Sequence, residues 1–482
     1  MRTLTGEDAF FLYIETPDQH QHVVSTMILD LSTAGEDFAI DALIAEYEAE
    51  MQARPEFSQK LVKTPWSMTP PVLVEDPDFI VKNHTHHIAV PAPGTRHQLA
   101  AIVADIASTA LSHRRPLWEC WFISGLEGGR LAIVFKSHHC LFDGVHGARV
   151  LTQMFETDAA IAHHEHGPQP SRRRRSRSLL EVTYGALRDQ WRYKPTYLGV
   201  FSRTVRSVSH RRRVFSRSRR RARLVPAFFE TAPKLKINAP ITPNRTVGMG
   251  SLSLADVKAI KNRLGMTVND VVVAACTLAL RNYLIATDDL PDRPLICYQP
   301  VSLALKGQGS KKADVGNEVG TMAVKLPVQI GDAAELLRAV SESTAAAKVV
   351  FDESFENLLQ SYIGVVPPAL ADWGLKQYLS RQVIRYAPTA TNVVISNIPG
   401  PSVPLYVDGA RLAACYAMGP IISGQGPNIT FMSYLDEIHY CVQACREHVP
   451  DIGLLTDGIA QAVAVFKELA QVGSELPPGP GA

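Results

Sequence analysis

Two short apolar runs, Trp118-Glu119-Cys120-Trp121-Phe122-Ile123 and Leu131-Ala132-Ile133-Val134-Phe135, flank the break Leu126-Glu127-Gly128-Gly129. Strand-forming residues on either side of a glycine-rich interruption predict a β-hairpin. Further along, Ser253-Leu254-Ala255-Asp256 has the spacing of a helix-capping box, Val257, Ile260 and Leu264 follow at helical spacing, and Gly265 supplies a stop. Thr267-Val268-Asn269-Asp270 repeats the box and predicts a second helix through Val271 to Leu284. Thr391-Asn392-Val393-Val394-Ile395-Ser396 has strand composition and runs into Asn397-Ile398-Pro399-Gly400-Pro401, which must leave the sheet. Helices and strands are mixed in both halves, so the class is α/β or α+β.

The chain has 482 residues, 46% of them hydrophobic and 20% charged, which is the profile of a globular protein of about two or three domains. A fibre and a wholly disordered chain are excluded. The longest nearly unbroken apolar run, Val271 to Leu280, ends at Arg281. That is half the ~20 residues needed to cross a bilayer, so no transmembrane helix is expected. Acidic Glu7 and Asp8 stand where a secretory signal would place its apolar region, and the expectation is a protein that stays inside the cell. Seven cysteines without a CxxC pair read as small core residues rather than a disulfide framework or zinc site.

The net charge of +2 hides an uneven distribution. Between Ser171 and Arg223, 18 Arg and Lys face only Glu181 and Asp189, so this segment carries +16 and the rest of the chain −14. Gly167-Pro168-Gln169-Pro170 and the Pro240, Pro243, Asn244 cluster bound that segment. The layout is an N-terminal lobe over residues 1–165, a basic connector over 166–240, a C-terminal lobe over 241–470 and a tail over 471–482.

The residues richest in chemistry directly follow the second hairpin strand: Ser137-His138-His139-Cys140-Leu141-Phe142-Asp143-Gly144. Side chains alternate across an extended strand, so His138 and His139 point to opposite faces and only one of them serves a given cleft as a base. Asp143-Gly144 permits a sharp turn into a following helix, with Asp143 fixing nearby groups or capping that helix. Cys140 diverges from its neighbour, which argues against a thiol nucleophile. His84, His86 and His87 with the His138-His139 pair lack helical ligand spacing, and no metal site is expected.

His138-His139-Cys140-Leu141-Phe142-Asp143-Gly144 resembles the HHxxxDG motif of the CoA-dependent acyltransferase superfamily. The opening Leu4-Thr5-Gly6-Glu7-Asp8-Ala9-Phe10-Phe11-Leu12, Glu15-Thr16-Pro17, Pro116-Leu117-Trp118-Glu119, Asn269-Asp270-Val271, Pro300-Val301-Ser302, Gly316-Asn317 and Ser396-Asn397-Ile398-Pro399-Gly400-Pro401 narrow the likeness. In this order they are similar to the bacterial bifunctional wax ester synthase/diacylglycerol acyltransferase family. The connector is longer and more basic than that family's pattern, and Ala444-Cys445-Arg446 stands where Gly-Asp-Arg is common.

The resemblance implies two chloramphenicol acetyltransferase-like lobes, each a mixed sheet with packed helices, and a channel between them. It implies His139 as general base, Asp143 as organiser of the loop, Gly144 as its turn and His138 as structural support. Asn269 is implied near the active histidine, with an exposed helix position as its alternative. Ser396 and Asn397 either border the acceptor pocket or form a strand-terminating turn, and Pro116-Leu117-Trp118 is more safely read as core than as channel lining. The implied substrates are a long-chain acyl-CoA and a diacylglycerol or fatty alcohol, with no cofactor. A condensation-type enzyme taking its acyl group from a carrier protein shares HHxxxDG and is the nearest alternative.

The basic connector suggests an anionic membrane or lipid-droplet surface as partner and a cytoplasmic, peripheral location, since each Lys or Arg near an anionic leaflet is worth about 1 kcal/mol. Trp191, Tyr193, Tyr197, Phe201 and Phe215 lie among the arginines. A solvated linker is the plain alternative. Nucleic-acid binding is the rival from another class, and the acidic lobes argue against it.

Overall fold

The predicted hairpin forms the middle of the first of two six-stranded sheets. The computed structural model describes residues 1–141, 155–157, 178–192, 230–302, 319–354 and 366–471. Strands β6 (Trp118–Leu126) and β7 (Arg130–His138) pair antiparallel around Gly128 and Gly129, whose φ of 73° and 67° lie in the left-handed region that favours glycine. On the other side of β7 runs β2 (His22–Asp30), antiparallel and in a register that sets His22 opposite His138. β5 (Thr85–Ala89) pairs parallel with β6 at one edge. Nearby, β1 (Arg2–Thr3), β3 (Gln59–Val62) and β4 (Val72–Glu75) make a small separate sheet in the order β1-β4-β3.

The first sheet is completed from far along the chain. Its order is β12 (Tyr406–Val407), β13 (Ala410–Met418), β2, β7, β6, β5. A sequential division into lobes at residues 165 and 241 therefore needs correction, because β12 and β13 belong to the sheet of the N-terminal lobe. The physical reason is pairing: without β13, β2 would expose an unpaired edge along its length.

The second sheet has the order β10 (Val319–Leu326), β9 (Leu295–Ser302), β11 (Val393–Ile398), β14 (Asn428–Tyr434), β15 (Glu437–Cys445), β8 (Arg245–Ser253). Both predicted helices of the C-terminal lobe are present. α5 (Leu254–Leu264) is capped by the Ser253 hydroxyl and stopped by Gly265 at φ 66°, and α6 (Val268–Ala286) carries the reciprocal Thr267–Asp270 box. Among the described residues the other α-helices are α1 (Gly6–Tyr13), α2 (Ile40–Ala53), α3 (Arg96–Ser108), α4 (Leu179–Arg192), α7 (Ala333–Ser354), α8 (Pro368–Tyr378), α9 (Arg381–Ile384) and α10 (Gly453–Gln471).

α6 runs past Arg281, as the reading through Leu284 expects, with that guanidinium donating to the Val328 carbonyl at 2.6 Å; unlike the sequence reading, the whole helix is long and apolar enough to cross a membrane. Its residues from Val271 to Leu280 are nevertheless buried in the C-terminal core against α5, α7 and α10. It reads as a core helix. The seven cysteines are free, and all but Cys415 are fully buried.

The lobes meet across α3. Its Leu99, Val103 and Ile106 pack in one cluster with Val24, Ile123 and Val134 of the first sheet and with Val247, Met249 and Cys441 of the second. Arg245, 1% exposed, bridges the same junction: its backbone N–H donates to Ser108 Oγ at 2.8 Å and its Nη2 to the Asp18 carbonyl at 2.9 Å. A buried guanidinium satisfied by carbonyls fixes one lobe against the other, because breaking it would strand a charge.

Candidate active site

β7 stops at His138, and the chain turns through His139 and Cys140. Both histidines are held by their backbones, His138 N–H donating to the Leu117 carbonyl at 3.0 Å and His139 N–H to the Gln21 carbonyl at 2.8 Å. His138 is fully buried, whereas His139 keeps part of its surface open. Only one of the pair is thus partly open, although His139 lies in the turn beyond the strand rather than in it. The His139 imidazole lies flat on Phe11 of α1, ring centroids 3.8 Å apart and planes within 8°. Desolvation pushes its pKa down to about 4, with repulsion from His138 adding to the effect. At neutral pH this ring is uncharged and able to take a proton.

His138 is anchored differently. Its Nδ1 accepts the Cys140 N–H at 3.1 Å, so in the neutral ring the proton resides on Nε2. That nitrogen faces Glu15 Oε1 at 3.6 Å, while Oε2 of the same carboxylate meets His113 Nε2 at 2.7 Å. Burial alone would raise the Glu15 pKa, but the two imidazoles outweigh it and hold the carboxyl far below the usual range. Beneath the strand, fully buried Lys136 is satisfied by Glu119 Oε2 at 2.7 Å and by the Ile106 and Thr109 carbonyls.

Ligand-capable atoms of Glu15, His113 and His138 lie within 4.8 Å of one another, close enough for a metal ion. The tautomer argues against that use. A ring whose Nδ1 accepts a hydrogen bond carries its hydrogen on Nε2, and a protonated nitrogen does not coordinate. The cluster instead makes one carboxylate the acceptor for His113 and the close anionic neighbour of His138.

The segment preceding β2 is pinned by both lobes. Gln19, 1% exposed, donates from Nε2 to the Ile14 carbonyl at 2.6 Å and accepts the Ser423 N–H on Oε1 at 2.7 Å. Ser423 lies in the loop between β13 and β14. His139 therefore sits where the first sheet's strand ends meet a loop of the C-terminal region.

Sequence reading found His138 and His139 but missed Phe11 and Glu15 as partners and His113 altogether. Phe11 and Glu15 were visible only as parts of segments carrying the family resemblance, and His113 has no local signal. Asp143 and Gly144 lie outside the described residues, as do Gly316-Asn317, the tail and most of the connector, including its arginine clusters.

Asn269 occupies the first turn of α6 and is half-buried. Its neighbour Asp270 is structural: Oδ2 accepts the Thr267 N–H at 2.9 Å and the Ser341 hydroxyl at 3.3 Å, and Oδ1 accepts the Thr344 hydroxyl of α7. Asp270→Ala is expected to cost about 2–3 kcal/mol, a lost cap plus the lost carboxylate acceptor of the Ser341 and Thr344 hydroxyls. Chemical denaturation will register this, while turnover per folded molecule stays within about twofold if the role is structural alone.

Ser396 and Asn397 are strand residues rather than a terminating turn, pairing with Thr430 and Phe431 of β14. Ile398 is the last paired position, so the chain leaves the sheet only at the prolines. Gly400 follows because a Cβ there would come within 2.0 Å of the Ser433 carbonyl oxygen. Leu117 and Trp118 are core, with Trp118 Nε1 donating to the Phe57 carbonyl at 2.7 Å.

Two mixed sheets, the first completed by β12 and β13 from the C-terminal half and both packed on α3, with paired histidines ending a central strand, define a protein of the two-lobed CoA-dependent acyltransferase type. Residues 4–272 match the family model described as wax ester synthase/diacylglycerol acyltransferase catalytic domain, and residues 315–467 match the C-terminal domain of the same family. A Mycobacterium tuberculosis protein bearing the name diacylglycerol O-acyltransferase is 33% identical, the alignment covering 99% of this chain and 92% of that one. The O-acyltransferase WSD of Acinetobacter baylyi is 30% identical, with 97% of each chain covered. Among solved structures, the wax ester synthase/diacylglycerol acyltransferase of Marinobacter aquaeolei superposes with a TM-score of 0.68 at 25% identity, over 97% of this chain and 100% of that one. The chain belongs to the wax ester synthase/diacylglycerol acyltransferase family and is an acyltransferase.

Proposed function

We propose that this chain transfers a long-chain acyl group from acyl-CoA directly to the hydroxyl of a diacylglycerol or long-chain fatty alcohol. The observation that carries the reading is His139: partly open, uncharged at neutral pH and held at the meeting of the two lobes. Its imidazole removes the hydroxyl proton as the oxygen attacks the thioester carbonyl. When the tetrahedral intermediate collapses, the carbon–sulfur bond breaks and the imidazolium protonates the departing CoA thiolate. Positioned base catalysis of this kind contributes about 10²–10⁴-fold.

No acyl-enzyme and no bound cofactor enter this scheme, since CoA arrives and leaves with the substrate. By the family likeness, Asp143 and Gly144 are assigned to organising the loop after His139, and Asn269, Ser396 and Asn397 to the acceptor side. The acceptors are lipid-soluble while acyl-CoA is an aqueous amphiphile, which supports a cytoplasmic enzyme peripheral to the membrane or to lipid droplets.

Purified protein given palmitoyl-CoA with dioleoylglycerol and hexadecanol in competition is expected to release CoA and form triacylglycerol, wax ester or both. Mass analysis of the products reads the balance. Formation of neither ester, with acyl transfer only from a carrier-protein thioester, would replace this reading with the condensation-type one.

A further inference from the structure

α8 is apolar on two faces. Pro368 and Ala371 are buried and Leu375 packs into the N-terminal core, where the helix lies against α1. Leu370 and Trp373, one turn apart, point the other way, with Trp373 64% exposed. Beside α8 lies the turn Thr64–Thr69, which presents Trp66 at 87% exposure and Met68 at 47%. Tyr378, Val383 and Tyr386 extend the exposed apolar surface.

The Trp66 turn is built rather than loose. Trp66 and Ser67 both sit at positive φ, 52° and 51°, which costs non-glycine residues energy. The turn is closed by the Thr69 N–H donating to Thr64 Oγ1 at 3.1 Å and the Ser67 N–H to the Thr64 carbonyl at 3.0 Å. Structure spent on holding a tryptophan in water implies something for it to enter.

The charges indicate what that is. Across residues 60–71 and 366–391 there are five cations, Lys60, Lys63, Lys376, Arg381 and Arg385, and one acid, Asp372. That acid is taken up by Lys376 Nζ at 2.7 Å, and Lys60 by Asp76 at 2.8 Å. A patch led by two tryptophans and carrying exposed Lys63 and Arg385 beside it has the chemistry of an anionic bilayer interface, where indole rings settle at headgroup depth and Lys and Arg meet phosphates.

We propose that α8 and the Trp66 turn together form the face on which this protein seats on an anionic lipid surface, with Trp66, Leu370 and Trp373 entering the headgroup–acyl boundary. The proposal rests on the lipid-acceptor reading above for its purpose, although not for its geometry. It also places lipid one helix from the base: α8 packs on α1, and α1 carries the Phe11 that stacks on His139. Acceptors dissolved in the bilayer then approach from the side nearest the reacting ring.

The test uses the full chain and vesicles of phosphatidylcholine with about one-third phosphatidylglycerol. Trp66→Ser with Trp373→Ser is expected to weaken co-sedimentation about tenfold or more, while CoA release from butanoyl-CoA and hexanol, both in true solution, is unchanged. Lipids brominated near the headgroup should quench wild-type tryptophan fluorescence, and in Trp66→Phe with Trp373→Phe this quenching should fall away; the reading survives on this arm if the serine variant misfolds. Equal vesicle binding by wild type and both variants would overturn the proposal, as would binding lost only on charge reversal of Arg172 to Arg175. Binding to pure phosphatidylcholine as strong as to the anionic mixture would overturn the anionic assignment. A wild type that binds vesicles through these tryptophans but esterifies nothing would overturn the proposed function and leave this inference standing.

Discussion

His139→Ala is expected to lower the rate of CoA release about 10²–10⁴-fold in the presence of either acceptor, with the folded structure intact. The backbone N–H that holds this position, bonded to the Gln21 carbonyl, survives the substitution, and the side chain is only half-buried. The pH profile adds an independent signature. Because the ring's pKa in the folded protein is about 4, below its ordinary 6.5, the acid limb of kcat/KM should fall off near 4. The sign follows from the base form being the active one: activity is full above the folded pKa and lost below it. An acid limb at 6.5 would show a solvated ring, and activity surviving in the alanine variant would remove His139 from the chemistry.

Glu15→Gln carries the second large effect, on stability and rate together. The native carboxylate accepts from His113 and faces His138, and the amide offers hydrogen where the imidazoles need an acceptor. A loss of about 2–3 kcal/mol is expected at neutral pH, the range for removing the charged partner of a largely buried network. Glu15 has a depressed pKa in the folded state, so its stabilisation is complete above the ordinary value of 4.5 and drains away as the pH falls toward the folded value. The stability gap between wild type and variant should therefore close in acid; a gap independent of pH would refute the ionic assignment.

The rate arm of that experiment separates positioning from folding. Glu15 fixes the His138 ring, whose Nδ1 in turn holds the Cys140 N–H, and His139 lies between those two residues in the turn. Kinetics of folded Glu15→Gln should show kcat reduced about tenfold with KM little changed, as expected when a reacting group is displaced by a fraction of an ångström. Unchanged kcat would confine Glu15 to stability.

The secondary structure was largely legible because its signals are local. The glycines between β6 and β7 demanded a left-handed turn, and the two Ser/Thr-x-x-Asp boxes placed the starts of α5 and α6. His138 and His139 differ in exposure as expected, but because the strand ends between them rather than by alternation within it. Where local signals misled, a distant partner decided. Asn397 and Ile398 were read as leaving the sheet because prolines follow, yet pairing with β14 keeps both in the strand.

What the amino-acid order determined alone was the inventory: two mixed halves, a histidine pair at a strand end and the segment likenesses that mark the family. Backbone propensity and side-chain alternation act over a few residues, so these are written in short windows. Only the tertiary structure decided that β13 completes the N-terminal sheet, that Glu15 and His113 close on His138, that Phe11 lies flat on His139, and that Trp66 and Trp373 share one exposed face. Each of those contacts joins residues far apart in the chain, and it is the burial of the two cores and the pairing of strand edges that bring them together.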